Sequence, residues 1–180
     1  MNNVTWDWGL FEALNFDGPA WLDMAMTHIS GIAMWIPLYI LIIYLVWRRY
    51  SWRGIIAFAV AIGMAILYAD LVAGIFNHQG PQGNLLSSFL ARRRPQHTPE
   101  GLDFVTNGYY TGNIYGTVSG HTSTITAIAI LSSVVVDKRW FSVVMAAVAT
   151  LICYSRIYLA CHLPQDILLG AMVGIVAAAI

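Results

Sequence analysis

Along this chain, apolar and polar positions separate into long blocks; they neither alternate nor form a single amphipathic stripe. Residues 29–47 run for 19 positions without a charge, and residues 54–76 are interrupted only by Asp70. Residues 118–136, 140–160 and 163–180 are again largely apolar. About 20 apolar residues are needed for a helix to cross a hydrocarbon core of about 30 Å. The pattern predicts an all-α polytopic membrane helical bundle of about five spans. Pro37 predicts a kink in the first span, tolerable where neighbouring helices re-satisfy the backbone. Only 14 of the 180 residues follow Asp166, which makes the last span short.

Two stretches break the pattern. Residues 1–27 mix Trp6, Trp8, Phe11, Leu14, Phe16 and Trp21 with Asp7, Glu12, Asp17 and Asp23, and no window is apolar for long enough to span. Aromatic residues at near-helical spacing between acids predict an interfacial amphipathic segment, either an anchor or a lid over a site. No basic leader precedes its first apolar residues, which predicts no cleavable signal peptide. Residues 77–117 are polar. A short helix over 85–91 is compatible with the pattern there, and Thr98, Pro99, Gly101, Asn107, Gly108, Gly112, Asn113 and Gly116 mark turns. A loop of that length within a compact chain predicts function rather than linkage. Length predicts one domain, residues 1–180.

Composition agrees with a membrane protein: 58% of residues are hydrophobic and 10% charged, against about 25% charged in a typical soluble domain. A net charge of zero offers no basic face, so no nucleic-acid partner is expected. Cys153 and Cys161 lie in apolar sequence at a spacing that fits no metal motif and predicts buried thiols. The two short basic links, Arg48/Arg49/Arg53 and Lys138/Arg139, are expected on the cytoplasmic side. Five spans then place the N-terminus, residues 77–117 and residues 157–166 outside. Arg92, Arg93 and Arg94 fall on the disfavoured outer side, where binding an anion would account for them.

Three stretches carry candidate chemistry. The first, Ser155-Arg156-Ile157-Tyr158-Leu159-Ala160-Cys161-His162-Leu163-Pro164-Gln165-Asp166, sits where one apolar helix ends and the next begins. Arg156 either snorkels to headgroups or turns inward, where its planar fork suits phosphate oxygens. Pro and an acid are ordinary at a helix start, but that leaves His162 and Arg156 unexplained. A histidine held at its second nitrogen by a carboxylate, here Asp166, is a competent nucleophile for phosphoryl transfer. In the second stretch, Ser119-Gly120-His121, Ser119 reads as a helix cap. The same geometry aims free N–H groups at an anion, Gly120 permits close approach, and His121 can protonate a leaving oxygen. Arg94-Pro95, in the third, is weak alone. Together the three supply cations, a nucleophile and a proton source, which is what metal-free phosphoryl transfer needs. Asp70 is expected to partner an intramembrane arginine or tyrosine, with a direct catalytic role as the alternative.

Read in chain order as R-P, S-G-H and S-R-x5-H-x3-D, these motifs resemble the type 2 phosphatidic acid phosphatase (PAP2) family, from about residue 20 onward. The third motif agrees at every defining position, and the second has Val118 where the family usually has proline. The first has Ser87 where the family has lysine, and Arg92 or Arg93 is the candidate substitute. The resemblance implies His162 as nucleophile, Asp166 as its orienter and His121 as general acid, with Arg94, Arg156, Ser119 and Gly120 binding phosphate. No metal or cofactor is implied. The expected function is hydrolysis of a lipid phosphate or diphosphate (of undecaprenyl diphosphate, phosphatidylglycerol phosphate or lipid A type) through a phosphohistidine. Membrane lipids are the expected partners, and a bacterial inner membrane with a periplasmic site the expected location. An intramembrane serine hydrolase using Ser119 and His162 leaves the arginines unexplained, and Gly116 lies one residue too far for a G-x-S-G element. An impaired lipid-binding or transport protein on the same scaffold is the alternative that Ser87 raises.

Overall fold

The computed structural model describes residues 6–77, 91–98, 107–109 and 114–180. Among these residues the architecture is all-helical, with an isolated antiparallel bridge between Arg93 and Tyr115. Helix α1 spans Trp6–Leu14 and α2 Ala20–Ser30, followed by a 3-10 turn at Ala33–Trp35. Helical backbone then runs Ile36–Asn77, except that Ser51 has φ 60° and ψ −169°. That is a region essentially reserved for glycine. It divides the run into α3 (residues 36–50) and α4 (residues 52–77). Trp35 and Asp70 would be roughly 50 Å apart on one straight helix, yet they line a common cavity. The chain therefore reverses at Ser51, and α3 and α4 form an antiparallel hairpin.

Helices α5 (Gly120–Val136), α6 (Arg139–Tyr158) and α7 (Pro164–Ala179) complete the bundle. Helix α5 is central and packs against the α3–α4 hairpin, α6 and α7. A Cβ on Gly170 would lie 2.7 Å from the Ser119 carbonyl oxygen, and one on Gly174 2.4 Å from that of Ser123. Small residues four apart let two backbones meet closely. Here they seat the second and third turns of α7 against the start of α5. At the other end, Arg49 donates to the Val136 carbonyl at 2.8 Å and pairs with Asp137 at 3.0 Å, so the two basic links meet.

Two stretches are long and apolar enough to cross a membrane, Ala33–Ile75 and Arg139–Tyr158, and α5 and α7 are shorter apolar helices. The bundle's outer surface carries Ile40, Ile43, Val60, Leu67, Val143, Met172 and Ile175, all exposed. Large apolar side chains facing outward suit lipid rather than water, in keeping with a membrane protein.

Several local expectations are corrected. Helix α2 takes Ile29 and Ser30, so the first long helix begins at Ile36. Pro37 consequently sits in a first turn, where its missing N–H costs nothing, and produces no mid-span kink. Arg48, Arg49 and Arg53 are helical, and the link is the single residue Ser51. Of the short helix expected over 85–91, residues 85–90 lie outside the described residues, and Ala91 is not helical. Cys161 is buried as expected, whereas Cys153 is only partly so.

Candidate active site

The site is assembled at the end of the bundle opposite the basic links. Helix α6 stops at Tyr158, and a tight turn follows in which Ala160 takes φ 51°. The N–H groups of Cys161 and His162 fold back onto the Arg156 carbonyl at 2.9 and 3.3 Å. Pro164 then starts α7 in the N-terminal turn that its fixed φ favours. This presents His162, 1% exposed, between two helix ends.

The arginine segment reaches the site as extended backbone. Arg94 N–H donates to Ile114 O at 2.9 Å and Gly116 N–H to Arg92 O at 3.0 Å. Side chains alternate along extended backbone. Arg94 is accordingly buried, Arg92 half-buried, and Arg93, on the opposite side, exposed. Gly116 is needed for the approach, because a Cβ there would lie 2.7 Å from Arg94 Cγ and 3.1 Å from His162 Cε1.

The hydrogen bonds define the state of His162. Its Nδ1 is 2.9 Å from Gly116 O, and its Nε2 is 3.0 Å from Arg94 Nη1. A carbonyl only accepts and a guanidinium only donates. Nδ1 therefore carries the proton and Nε2 the free lone pair. Burial pushes the imidazole pKa down to about 4, against the opposing pull of Asp166, so it is neutral near pH 7. Arg94 also donates through Nε to Tyr115 O at 3.1 Å and through Nη1 to Cys161 O at 3.3 Å. Burial lowers its pKa too.

Asp166 stands behind the imidazole, with Oδ2 3.5 Å from Nδ1, farther than Gly116 O. Its other contacts are shorter: Oδ2 accepts Leu163 N–H at 2.9 Å, and Oδ1 pairs with Arg92 at 2.5 Å. Arg92 also pairs with Asp7 at 2.6 Å, so it is committed to carboxylates. Burial works against that cation, but the two carboxylates outweigh it and raise its pKa.

Ser119 caps α5 as predicted, its Oγ accepting from Thr122 N–H and Thr122 Oγ1. Its own N–H donates to Asp166 O at 3.2 Å. The N–H groups of Gly120 and His121, in the first turn, have no intrahelical acceptor. Ser119 Oγ makes no hydrogen bond to His162, the contact a serine nucleophile would need. His121 is exposed and lines a cavity of about 550 Å³ with Asp70, Gly120, Tyr39, Ile62 and Ile128. A second cavity of about 340 Å³ shares Tyr39, Ile62 and Ile128 and continues between α3 and α4.

Arg156 does not snorkel. It is 2% exposed, donates to Ser30 Oγ and lies over the Tyr109 ring at 5.4 Å. Its Nε, also buried, has no partner among the described residues. Asp70 is exposed on the cavity wall, and among the described residues no arginine or tyrosine pairs with it, contrary to expectation. Ser87 lies outside the described residues.

Sequence reading missed several supports. Gln96 bridges the Tyr109 and Leu159 carbonyls at 2.9 and 2.8 Å, and Asn107 donates to Tyr158 O at 2.8 Å. Asp7, Ser30, Tyr109 and Gly116 belong with them. The R-x-R alternation was the available signal for separating Arg92 and Arg94 from Arg93.

A model of the PAP2 superfamily matches residues 63–180. A curated protein named lipid A 4'-phosphatase from Bacteroides thetaiotaomicron is 30% identical over 160 residues, covering 87% of this chain and 66% of its own length. One of the same name from Porphyromonas gingivalis is 28% identical over 168 residues, covering 93% and 67%. The chain thus spans about two thirds of the length of these relatives. Among solved structures, Aquifex aeolicus LpxE superposes with a TM-score of 0.72 at 23% identity, covering 96% of this chain and 92% of that one. A PAP2-type phosphatidylglycerolphosphate phosphatase from Bacillus subtilis superposes at 0.64 and 19% identity, covering 96% and 81%. At those identities the likeness is one of fold.

Proposed function

Because the chain belongs to the PAP2 superfamily, we propose that it is a membrane phosphohydrolase that removes phosphate from a lipid through a phosphohistidine on His162. The observation that carries this reading is the protonation pattern of that imidazole. Nδ1–H is held by Gly116 O with Asp166 behind it, and the Nε2 lone pair faces a guanidinium. An entering phosphate would take over the Arg94 hydrogen bond and bring its phosphorus to Nε2. Arg94, Arg156 and the N–H groups of Gly120 and His121 would neutralise its oxygens, which is most of what phosphoryl transfer asks of a protein.

In the first step the Nε2–P bond forms and the P–O bond to the lipid breaks. His121 donates a proton to the leaving oxygen, and the negative charge of a bound phosphate favours its protonated form. In the second step His121 takes a proton from water, the water oxygen attacks phosphorus, and the N–P bond breaks. Inorganic phosphate leaves and the imidazole is restored.

Helices α3 to α7 act as five crossings of one 1–180 unit, with α1 and α2 at the interface. The basic links face the cytoplasm and the site faces outward, to the periplasm of a bacterial inner membrane. The apolar cavity lined by His121 and the one adjoining it at Tyr39, Ile62 and Ile128 would take the lipid's hydrocarbon, and a lipid A-type phosphate is the first candidate, from the names of the curated relatives. The test is phosphate release by the purified protein in detergent from lipid A phosphate, phosphatidylglycerol phosphate, phosphatidic acid and undecaprenyl diphosphate. Release abolished by His162→Ala is expected. Headgroup binding without release by the wild type would instead mark a lipid-binding protein.

A further inference from the structure

Arg92 is shared by two carboxylates from opposite ends of the chain. Nη2 pairs with Asp166 Oδ1 at 2.5 Å and Nη1 with Asp7 Oδ2 at 2.6 Å. The second oxygen of Asp7 accepts the Gln165 N–H at 2.7 Å, the peptide next to Asp166. Asp7 is 0% exposed although it lies in the first turn of a short N-terminal helix. A carboxylate is costly to bury unless it is paired and hydrogen-bonded, and here both oxygens are taken by groups that touch Asp166.

We propose that Asp7 is a positioning residue of the active site, which shares the charge of Arg92 so that Asp166 keeps negative charge for His162. This rests on the reading of His162 as nucleophile. Two carboxylates on one guanidinium leave the trio with a net charge of −1. Without Asp7, Arg92 and Asp166 would form a neutral pair. When Nε2 carries phosphate, the ring becomes cationic and its Nδ1–H more acidic. The charge on Asp166 then stabilises the intermediate directly. The N-terminal helix is in this sense part of the catalytic apparatus.

A purely structural role has the same contacts, since Asp7 also docks α1 onto the turn before α7. Asn15 separates the two. It anchors the other end of α1 through the Ile157 and Tyr158 carbonyls, at 3.3 and 2.9 Å, without touching Arg92. Among the described residues, the groups that act electrostatically on His162 are Arg94 from the extended segment, Arg156 from α6, Asp166 from α7 and His121 from α5. Of these, Asp166 is the one that Asp7 acts through.

The experiment compares Asp7→Asn, Asp7→Glu, Asn15→Ala and His162→Ala in phosphate release from a lipid phosphate across pH, with thermal unfolding measured in parallel. Asp7→Asn keeps an acceptor for Gln165 N–H but removes the charge. It is expected to lower kcat by about 10- to 100-fold, the range for a partner one contact removed from a reacting group. KM should stay within about twofold, and the acid limb of kcat/KM should move to lower pH. Asp7→Glu should recover most of the loss. Asn15→Ala should lower the unfolding temperature and leave the limb in place. The proposal is overturned if Asp7→Asn keeps wild-type kcat and limb, or if Asn15→Ala reproduces both changes. If Asp7→Asn does not fold, Asp7→Ser, which keeps a small acceptor without the charge, replaces it: a lowered kcat with the limb moved to lower pH supports the proposal, and wild-type kcat and limb overturn it. An active His162→Ala would defeat the nucleophile reading itself, a result distinct from either.

Discussion

Arg94 Nη1 sits 3.0 Å from His162 Nε2, so the free lone pair of a buried, neutral imidazole is covered by a buried guanidinium. In the proposed reaction this pair would link catalysis to binding: an arriving phosphate would take the guanidinium's hydrogen bonds and uncover Nε2.

Two of the three successive arginines should respond very differently to truncation. Arg94→Ala removes the cation proposed to hold the transferred group and should cost about 10²- to 10³-fold in kcat, as loss of one preorganised donor does. Arg93→Ala, on the exposed side of the same extended segment, should stay within about twofold of wild type. Initial rates of phosphate release on a single lipid substrate check both.

A second prediction concerns pH. The folded His162 pKa of about 4 lies below its ordinary value of about 6.5. Between these values the unfolded chain binds the proton more readily, so stability contributed by neutral His162 is lost as pH falls from about 6.5 to about 4. Unfolding temperatures over that window should fall less steeply in His162→Gln than in wild type. Equal slopes would contradict the assignment.

The cavities give a third. Ile62 lines both, and Ile62→Trp should block the passage between α3 and α4. Long-chain lipid phosphates should lose kcat/KM by about tenfold or more, while a short, water-soluble phosphate ester keeps its rate. Parallel loss on both substrates would remove the cavities from the account.

Much of the site was visible in the sequence because charge is conspicuous in an apolar chain. Arg156, His162 and Asp166 interrupt hydrophobic runs at helix ends, and Ser119-Gly120-His121 opens one. Asp7 was not visible. Acids between aromatic residues look like the wet face of an amphipathic helix, and nothing local ties residue 7 to Arg92 or Gln165. Gly116 acts partly through its carbonyl, which no side-chain pattern encodes. The same limit applies to the fold: long apolar runs foretold the helices, but Ser51 adopts φ 60° with no glycine to announce it. The break after Ser30 turned an expected mid-helix proline into a helix start.

The central claim is that phosphate passes through His162. The most direct measurement is rapid acid-free quenching of the purified protein with a phosphorus-labelled lipid phosphate, followed by peptide mapping. His121→Gln with a labelled aryl phosphate, whose leaving group needs no proton, would be used alongside wild type to slow the second step alone. A base-stable, acid-labile phosphate is expected on the peptide carrying His162 and none on that of His162→Ala. Label on Ser119, or full turnover by His162→Ala, would contradict it.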